Sequence, residues 1–168
     1  MKKNKNCWCI TNFNIVTATT STILLLQSAI SLGNTVEYED LFKKDGHYYI
    51  KQLDKKVFTG VVVGERTGKI VNGKREGEWT RWYENGRIRW RGNFKNGKDE
   101  GTYEKYYSNG QLQQKGWYQN GFRENIQLMY HRNGQLSVKG YFKNNREIGR
   151  WEFYNEDGTL AEVKRYDN

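Results

Sequence analysis

The chain has 168 residues, and its 28 lysines and arginines outnumber 19 acidic residues, which gives a formal net charge of +9. It contains 18 glycines, no proline and 15% aromatic residues. This length suggests one domain, the lack of proline argues against a Pro-rich linker protein, and aromatics with glycine favour short strands and tight turns over a thick helical core.

Residues 1–31 predict a secretory signal peptide. Three lysines open the chain, no charged residue follows from 6 to 36, and the densest apolar run is at 23–26. This order is typical of an export signal, and a small-x-small triplet ending at Ser31 predicts cleavage there. The alternative is an uncleaved membrane anchor, because the 18 residues of 15–32 approach the lower limit for a spanning helix. The predicted localisation is therefore exported, or else membrane-anchored.

Cleavage after Ser31 would change both the chemistry and the charge of the chain. Cys7 and Cys9 precede the cut, so the exported part would have neither a disulfide nor thiol chemistry. Three lysines and no acid would be lost, leaving 25 basic and 19 acidic residues, or +6. Residues 32–57 are predicted to be an N-terminal lead-in to the remainder of the chain.

A 24-residue period dominates that remainder, and such periods indicate repeat architectures. The copies are 76–99, 100–123, 124–147 and 148–168, preceded by a shortened capping copy at 58–75. Three structural columns recur at this step: a glycine column of Gly77, Gly101 and Gly149, an aromatic column of Trp82, Tyr106, Tyr130 and Tyr154, and a turn column of Gly86, Gly110, Gly134 and Gly158.

Each copy is predicted to be a β-hairpin, because Asn-Gly or Asp-Gly stands between runs of strand-forming residues. Two registers are open in the first copy. A two-residue turn pairs Tyr83 with Ile88, whereas a three-residue loop ending at Gly86 pairs Trp82 with Ile88. We favour the second, since it joins the aromatic column to the aliphatic column that contains Ile88.

Joined end to end, the hairpins predict an all-β fold. It is a repeat array of antiparallel β-hairpins that form one elongated, twisted meander sheet. The last strand, at about 160–166, is predicted to be an edge that charged side chains protect from further pairing.

The repeated pattern Glu-Gly-x-Trp-x-x-Trp-Tyr-x-Asn-Gly-x-Ile, closed by Gly-x-Phe-x-Asn-Gly-Lys, resembles the MORN repeat in its bacterial variant. The resemblance covers about 45–168 and includes similarity to the so-called YwqK-type antitoxin family. It implies the hairpin-array fold. The sequence departs from the pattern at Asn125 and Gln127 in the third copy and at Lys164, which replaces a column glycine in the last.

The motifs of common enzymes are missing from this sequence. It has no HExxH, phosphate-loop or Gly-x-Ser-x-Gly motif, and its histidines, His47 and His131, lie 84 residues apart. We therefore predict no catalytic residue, no metal site, no cofactor and no small-molecule substrate. Nucleic acid is disfavoured as a partner, because 76–168 carry 16 basic and 13 acidic residues, only +3.

Binding is the prediction that remains, and its candidate surface is in the first full copy. Arginine beside aromatic rings could meet lipid headgroups, phosphates or anionic polysaccharide, although strand alternation alone also turns arginines outward. The predicted function is a non-catalytic exported module that binds a protein, envelope polymer or membrane surface through one sheet face. The alternative is a YwqK-type protein that neutralises a toxin by direct binding. The candidate binding residues are Arg81, Arg87, Arg89, Arg91, Trp79, Trp82 and Trp90.

Overall fold

The computed structural model describes residues 34–53 and 56–167, so the predicted signal peptide and both cysteines lie outside it. Within these ranges the chain forms β-strands joined by turns, with a 3₁₀ turn at Tyr38–Asp40. The described part contains no helix with the length and apolar character needed to cross a bilayer. The strands are β1 Thr35–Glu37, β2 Leu41–Lys44, β3 His47–Ile50, β4 Gly60–Val63, β5 Arg66–Val71, β6 Lys74–Trp82, β7 Ile88–Lys95, β8 Lys98–Tyr106, β9 Leu112–Gln119, β10 Phe122–Tyr130, β11 Leu136–Lys143, β12 Arg146–Tyr154 and β13 Leu160–Tyr166.

Eleven of these strands form one open sheet. From β4 to β13 the strands lie side by side in chain order, and each pairs antiparallel with the next. β1 adds to the outer side of β4 in the parallel sense, while β2 and β3 form a separate hairpin. The predicted all-β meander of antiparallel hairpins is confirmed.

The tip of each hairpin confirms the three-residue loop. In the first copy the Tyr83 N–H donates to the Arg87 carbonyl at 2.8 Å, and the Gly86 N–H donates to the Tyr83 carbonyl at 2.9 Å. Gly86 has a φ of 77°, which is typical of a turn closed by a left-handed glycine. Trp82 consequently pairs with Ile88, as we favoured.

A different turn joins one copy to the next. Asn96 and Gly97 both have positive φ, 52° and 79°, as a two-residue hairpin turn of the mirror-image type requires. The Glu76 carboxylate accepts a hydrogen bond of 2.8 Å from the Asn96 N–H. The same bond recurs one and two periods later, where Glu100 accepts from the Asn120 N–H and Glu124 accepts from the Asn144 N–H. This contact explains why the inner copies begin with glutamate.

The glycine column that contains Gly77 marks a bulge inside the strand. Gly77 has a φ of 68°, and an added Cβ would meet nothing within 4 Å. The position therefore needs a left-handed backbone rather than space. Asn125 holds the same place in the third copy with a φ of 61°, and asparagine tolerates that conformation better than most residues.

One face of the sheet, here called the core face, carries Trp79, Tyr103, Gln127 and Trp151. These four residues lie one period apart, and each is no more than 4% exposed. Register places Gly92 opposite both Trp79 and Tyr103. The ring of Trp90, from the same strand, lies over Gly92, whereas Gly68 and Gly140 each lie under a core ring from the next strand.

The N-terminal lead-in completes the largest apolar core against this face. Leu41 and Tyr48, from β2 and β3, pack with Trp79 and Phe94 of the first full copy. Val62 and Ile70 of the shortened copy are completely buried in the same cluster. The lead-in and the shortened copy thus cover the start of the core face.

A polar network replaces the aromatic in the third copy. Gln127 is 1% exposed, and its Oε1 accepts a hydrogen bond of 2.6 Å from the Tyr103 hydroxyl. Its Nε2 donates to the Lys115 and Leu128 carbonyls. Burial raises the pKa of Tyr103 to about 12, so the hydroxyl keeps the proton that it donates. The buried amide is therefore satisfied and does not interrupt the sheet.

The aromatic and aliphatic ladder that we predicted does form, but it is not the core. Trp82 pairs with Ile88 and Tyr154 with Leu160, yet these side chains are half-buried, and Leu160 is 51% exposed. Strand alternation turns Trp82 away from the face that Trp79 occupies, because the two are three residues apart. The buried rings of the full copies are instead those that lie over glycine, such as Trp79 over Gly68 and Trp151 over Gly140.

Candidate functional site

The structure divides the predicted arginine cluster between the two faces of the sheet. Arg91 pairs in register with Thr80 and Glu104, on the face opposite the core face. Arg81 pairs with Trp90 on the core face. Neighbouring residues of a strand point to opposite sides, so Arg91 and Trp90 cannot contribute to one surface.

Arg91 belongs to a compact ion-pair network on that opposite face. Its guanidinium lies 2.6 Å from the Glu104 carboxylate, which also contacts the Lys115 ammonium at 3.2 Å and accepts a 2.6 Å hydrogen bond from Tyr106. Burial alone would raise the pKa of Glu104, but hydrogen bonds from Tyr106, Arg91 and Lys115 outweigh it and hold the pKa at about 2. The positive charge of Arg91 is thus paired with the Glu104 carboxylate within the sheet.

Arg87 lies in a tip turn and is correspondingly exposed. Its guanidinium donates to the Ser108 carbonyl at 3.3 Å, so it links the first tip turn to the second. Asn85 donates to the same carbonyl at 3.1 Å. This contact gives Arg87 a structural role between copies.

The three predicted tryptophans also have different environments. Trp79 is 2% exposed in the core, so it offers a partner little surface. Trp82 lies on the opposite face, where its indole N–H donates to the Thr67 hydroxyl at 3.3 Å. Trp90 is half-buried on the core face, packed against Phe94 with ring centroids 5.9 Å apart. Of the three, Trp90 is the one that combines exposure with the core face.

Trp90 lies between cations that no single copy contains. Successive registers join Arg66 to Arg81, Arg81 to Trp90 and Trp90 to Lys105 across β5, β6, β7 and β8. Directly opposite residues share one face of a sheet. The core face therefore carries a row of three cations around one tryptophan.

This row forms part of an open groove of about 860 Å³, here called the cationic groove. Among the described residues that line it, Asp99 is the only acid. Burial raises the pKa of Asp99, and the nearby Arg75 guanidinium partly opposes that rise. The cations lining the groove are Arg66, Arg75, Arg81, Arg89, Lys105 and Arg132, and its aromatic residues include Tyr38, Tyr83, Trp90 and Tyr107.

Four of the groove arginines are stacked on aromatic rings. The guanidinium carbon of Arg66 lies 4.2 Å from the ring centre of Tyr38, and that of Arg75 lies 3.7 Å from Phe94. A guanidinium over a ring gains a cation–π attraction, and guanidinium N–H groups that do not face the ring can still donate to an anion. The other two stacks, on groove tyrosines, have distances of 5.5 and 5.0 Å: Arg89 on Tyr83 and Arg132 on Tyr107.

Arg81 differs from these because it forms an ion pair. Its Nε donates to the Glu65 carboxylate at 2.7 Å, and this bond lowers the pKa of Glu65. Both side chains are partly exposed, at 34% and 47%. An exposed pair of this kind contributes little to stability, so another anion can compete for Arg81 at low cost.

The two histidines do not form a site. The His131 Nε2 lies 2.8 Å from the Tyr154 carbonyl, and since a carbonyl only accepts, this nitrogen carries the hydrogen. The Tyr83 hydroxyl makes the equivalent bond to the Tyr106 carbonyl at 2.7 Å. His131 therefore replaces a tyrosine in a contact between copies. In the part of the chain that the structure describes, no group of three His, Cys, Asp or Glu residues could hold a metal ion.

Only part of the cationic groove was predictable. Arg81 and Arg89 were identified from the sequence, whereas four cations were missed because they come from other copies: Arg66, Arg75, Lys105 and Arg132. Lys105 could have been found, since it lies one 24-residue period after Arg81. Arg132 gives no such indication, because its place in the groove depends on how the tip turns pack.

The family comparison agrees with this repeat geometry. The MORN repeat variant model matches residues 75–96, 99–121, 123–144 and 147–168, more than half of the chain. No curated protein shows significant similarity to it. The match identifies the repeat and does not establish the YwqK-type antitoxin assignment, which stays a prediction. MORN repeats are typically non-enzymatic modules that are often involved in binding, and this chain belongs to the MORN repeat variant family.

Proposed function

We propose that this protein is an exported, non-catalytic interaction module that binds an anionic partner in the cationic groove. The observation that carries the proposal is the row Arg66, Arg81, Trp90 and Lys105, which lie opposite one another on adjacent strands. Arg66 and Arg81 face each other, and Trp90 lies between Arg81 and Lys105, so three cations and a half-buried indole share one short stretch of the core face. This combination suits an anionic partner, because the cations and the ring can contact it together.

The composition of the groove suits recognition of carboxylates or phosphates. Arginine, tryptophan and tyrosine are the residues most enriched at the energetic centres of binding surfaces. Stacked guanidinium groups are already ordered by their rings, so less side-chain entropy is lost when an anion binds. The partner expected here is an acidic protein segment or an anionic envelope surface.

Removing two groove cations should weaken binding of a polyanion. We expect Arg66→Gln with Lys105→Gln to raise the Kd for poly-L-glutamate about tenfold, equivalent to about 1.4 kcal/mol. Binding would be followed by tryptophan fluorescence at fixed ionic strength, because charge interactions are salt-dependent. Vesicles of phosphatidylglycerol, with phosphatidylcholine vesicles as the neutral reference, would show whether a membrane surface is bound instead.

The control removes the same charge far along the sheet. Lys143 and Arg146 are exposed and lie opposite each other on β11 and β12. Changing both to glutamine should alter the Kd less than threefold. Equal losses for the two double variants would show that net charge, rather than the groove, governs binding, and the proposed site would be rejected.

Export rests on the lysine-rich start, the apolar run at 23–26 and the small residues before Leu32. We expect the chain in the envelope or medium to begin near Leu32, as N-terminal sequencing after cell fractionation would reveal. A soluble cytoplasmic chain that retained 1–31 would contradict export. That result would favour the YwqK-type alternative, since a cytoplasmic protein can reach a cytoplasmic toxin.

A further inference from the structure

We propose that the face opposite the core face carries a second interaction surface, which binds an acidic amphipathic helix of a partner protein. This surface consists of Trp117, Phe122, Ile126 and Tyr141 on β9, β10 and β11, and it is here called the apolar patch. It shares no residue with the cationic groove. The inference is therefore independent of the proposed function, which concerns the core face.

The four side chains of the apolar patch are open to solvent, with exposed fractions between 37% and 47%. Trp117 pairs with Thr102, whose neighbour Tyr103 is buried in the core face, so Trp117 lies on the opposite face. The pair of Ile126 with Tyr141 repeats this register one period later. Exposed rings and aliphatic side chains that lie together in this way often mark a binding surface.

The repeat does not require apolar residues at these positions. Trp117 and Tyr141 belong to one column of the 24-residue period, and Ile126 and Phe122 belong to two others. The corresponding residues of other copies are polar or charged: Asn93 and Arg165 in the first column, Glu78, Thr102 and Arg150 in the second, and Lys74, Lys98 and Arg146 in the third. Strands with these residues form in the same sheet, so folding alone does not explain why the apolar side chains lie together.

Unpaired cations lie beside the apolar patch and favour an acidic partner. Lys139 and Lys143 flank Tyr141 on β11, each two residues away and hence on the same face. Among the residues that the structure describes, neither lysine forms an ion pair. A second copy of the chain would bring the same cations against them, which is unfavourable. Three acids of this face already have partners: Glu124 accepts from the Asn144 N–H, Glu104 is paired with Lys115, and Glu152 is paired with Arg150.

The position of the apolar patch within the sheet favours a helix as its occupant. β9, β10 and β11 each have a neighbouring strand on both sides, so a partner cannot add a strand there and must satisfy its own backbone hydrogen bonds. The patch spans two strand spacings, about 10 Å, which is close to the diameter of one helix. Glu124 lies opposite Trp117 within the patch, and a carboxylate among acyl chains is costly, so a bilayer fits this surface less well than a protein does.

A designed peptide tests the proposal on the full-length chain. The probe is a fluorescently labelled helix of roughly 18 residues, or five turns, with leucine along one stripe and glutamate on both flanks. One analogue has lysine in place of each glutamate, and another has the residues of the probe in scrambled order. Fluorescence anisotropy should show that the acidic probe binds at least about tenfold more tightly than either analogue, because only the probe matches both the apolar patch and its cations.

Substitutions taken from other copies should remove this binding without disturbing the sheet. Trp117→Asn with Ile126→Thr introduces the residues that stand at these places in earlier copies, and it should raise the Kd for the probe at least about tenfold. Val61→Thr is the control, because Val61 is 47% exposed on β4 and lies outside the patch, and the Kd should change less than about twofold.

Far-UV circular dichroism of each variant would confirm that the sheet is intact, as expected for exposed substitutions. The proposal is overturned if the probe does not bind the wild type at about 1 mM, if the lysine analogue binds as tightly, or if the double variant keeps the wild-type Kd. Probe binding that is lost with Arg66→Gln and Lys105→Gln instead would place the peptide in the cationic groove and also overturn it.

Vesicles of phosphatidylglycerol provide the remaining comparison. If these vesicles bind the wild type but not the double variant, while the peptide binds neither, the apolar patch contacts a membrane surface and the proposal fails. Poly-L-glutamate has no apolar side chains, so its affinity tests the cationic groove alone. Loss of support for one of the two surfaces therefore leaves the result for the other unchanged.

Discussion

Replacing Trp79 with alanine is expected to lower the free energy of unfolding by about 4 kcal/mol. The indole is 2% exposed, and its N–H donates to the Lys69 carbonyl at 3.1 Å. It packs edge-on against Phe94 and Tyr38, with ring centroids 6.4 and 6.5 Å apart. Alanine would leave a cavity between the sheet and the lead-in hairpin. Urea unfolding followed by far-UV circular dichroism measures the loss.

A second tryptophan provides the matched control for this change. Trp117 lies on β9 and is 40% exposed, so Trp117→Ala should cost less than about 1 kcal/mol. Both variants lose one indole, but only one loses buried contacts. If the two variants lost similar amounts of unfolding free energy, Trp79 would not be a major support of the core, and it would again be a candidate binding residue.

The hairpin tips were predictable because their chemistry is local. Asn85-Gly86 specifies a left-handed glycine, and the Asn85 side chain accepts a hydrogen bond of 3.1 Å from the Arg87 N–H. These few residues determine the turn and hence the pairing of Trp82 with Ile88. β13 lies at one end of the described sheet, where the sequence predicted it.

Which repeat column is buried was harder to predict from the sequence, because bulges interrupt the alternation of side chains along each strand. One extra residue at the tip, near Arg89, moves the register between Trp82 and Arg81. Beyond that bulge, Trp79 faces Gly92, which is the pairing expected from the register that we did not favour. A one-residue shift exchanges the faces of all later side chains. Periodicity alone therefore reveals the columns but not which of them is buried.

The candidate site shows the same division between local and distant information. That Trp90 and Arg91 point to opposite faces follows from their adjacency alone. The pairing of Arg81 with Glu65, by contrast, joins the shortened copy to the first full copy. The arginines and tryptophans that are close together in the sequence of the first full copy lie on both faces of the sheet. The cationic groove, by contrast, is lined by residues from four copies. Function in a repeat array is thus better sought across strands than along them.

Glycine has two distinct roles in this array, and substitution should separate them. Gly77 and Gly149 hold left-handed backbone with open space around them. Gly68 and Gly140 have no such φ, but a ring from a neighbouring strand lies over each of them, Trp79 over Gly68 and Trp151 over Gly140. The first role depends on conformation and the second on close approach, so their costs have different origins.

Replacing Gly140 with alanine is expected to cost about 3 kcal/mol, because its Cβ would overlap the Trp151 ring. Trp151 is 3% exposed and packs edge-on against Phe142 at 5.2 Å between centroids, which leaves the ring little room to move. Gly149→Ala is the control and should cost only about 1 kcal/mol, as expected for an alanine in left-handed backbone. Urea unfolding of both variants provides the comparison.

A double-mutant cycle tests whether the Trp151 ring causes the loss of stability in Gly140→Ala. In a Trp151→Val background the indole is absent, so Gly140→Ala should then cost less than about 1 kcal/mol. The coupling between the two positions would be about 2 kcal/mol in favour of the pair. Additive losses would show that Gly140 is needed for its backbone rather than for Trp151. In that case, alternation of ring and glycine across strands could not be the cause of burial on the core face.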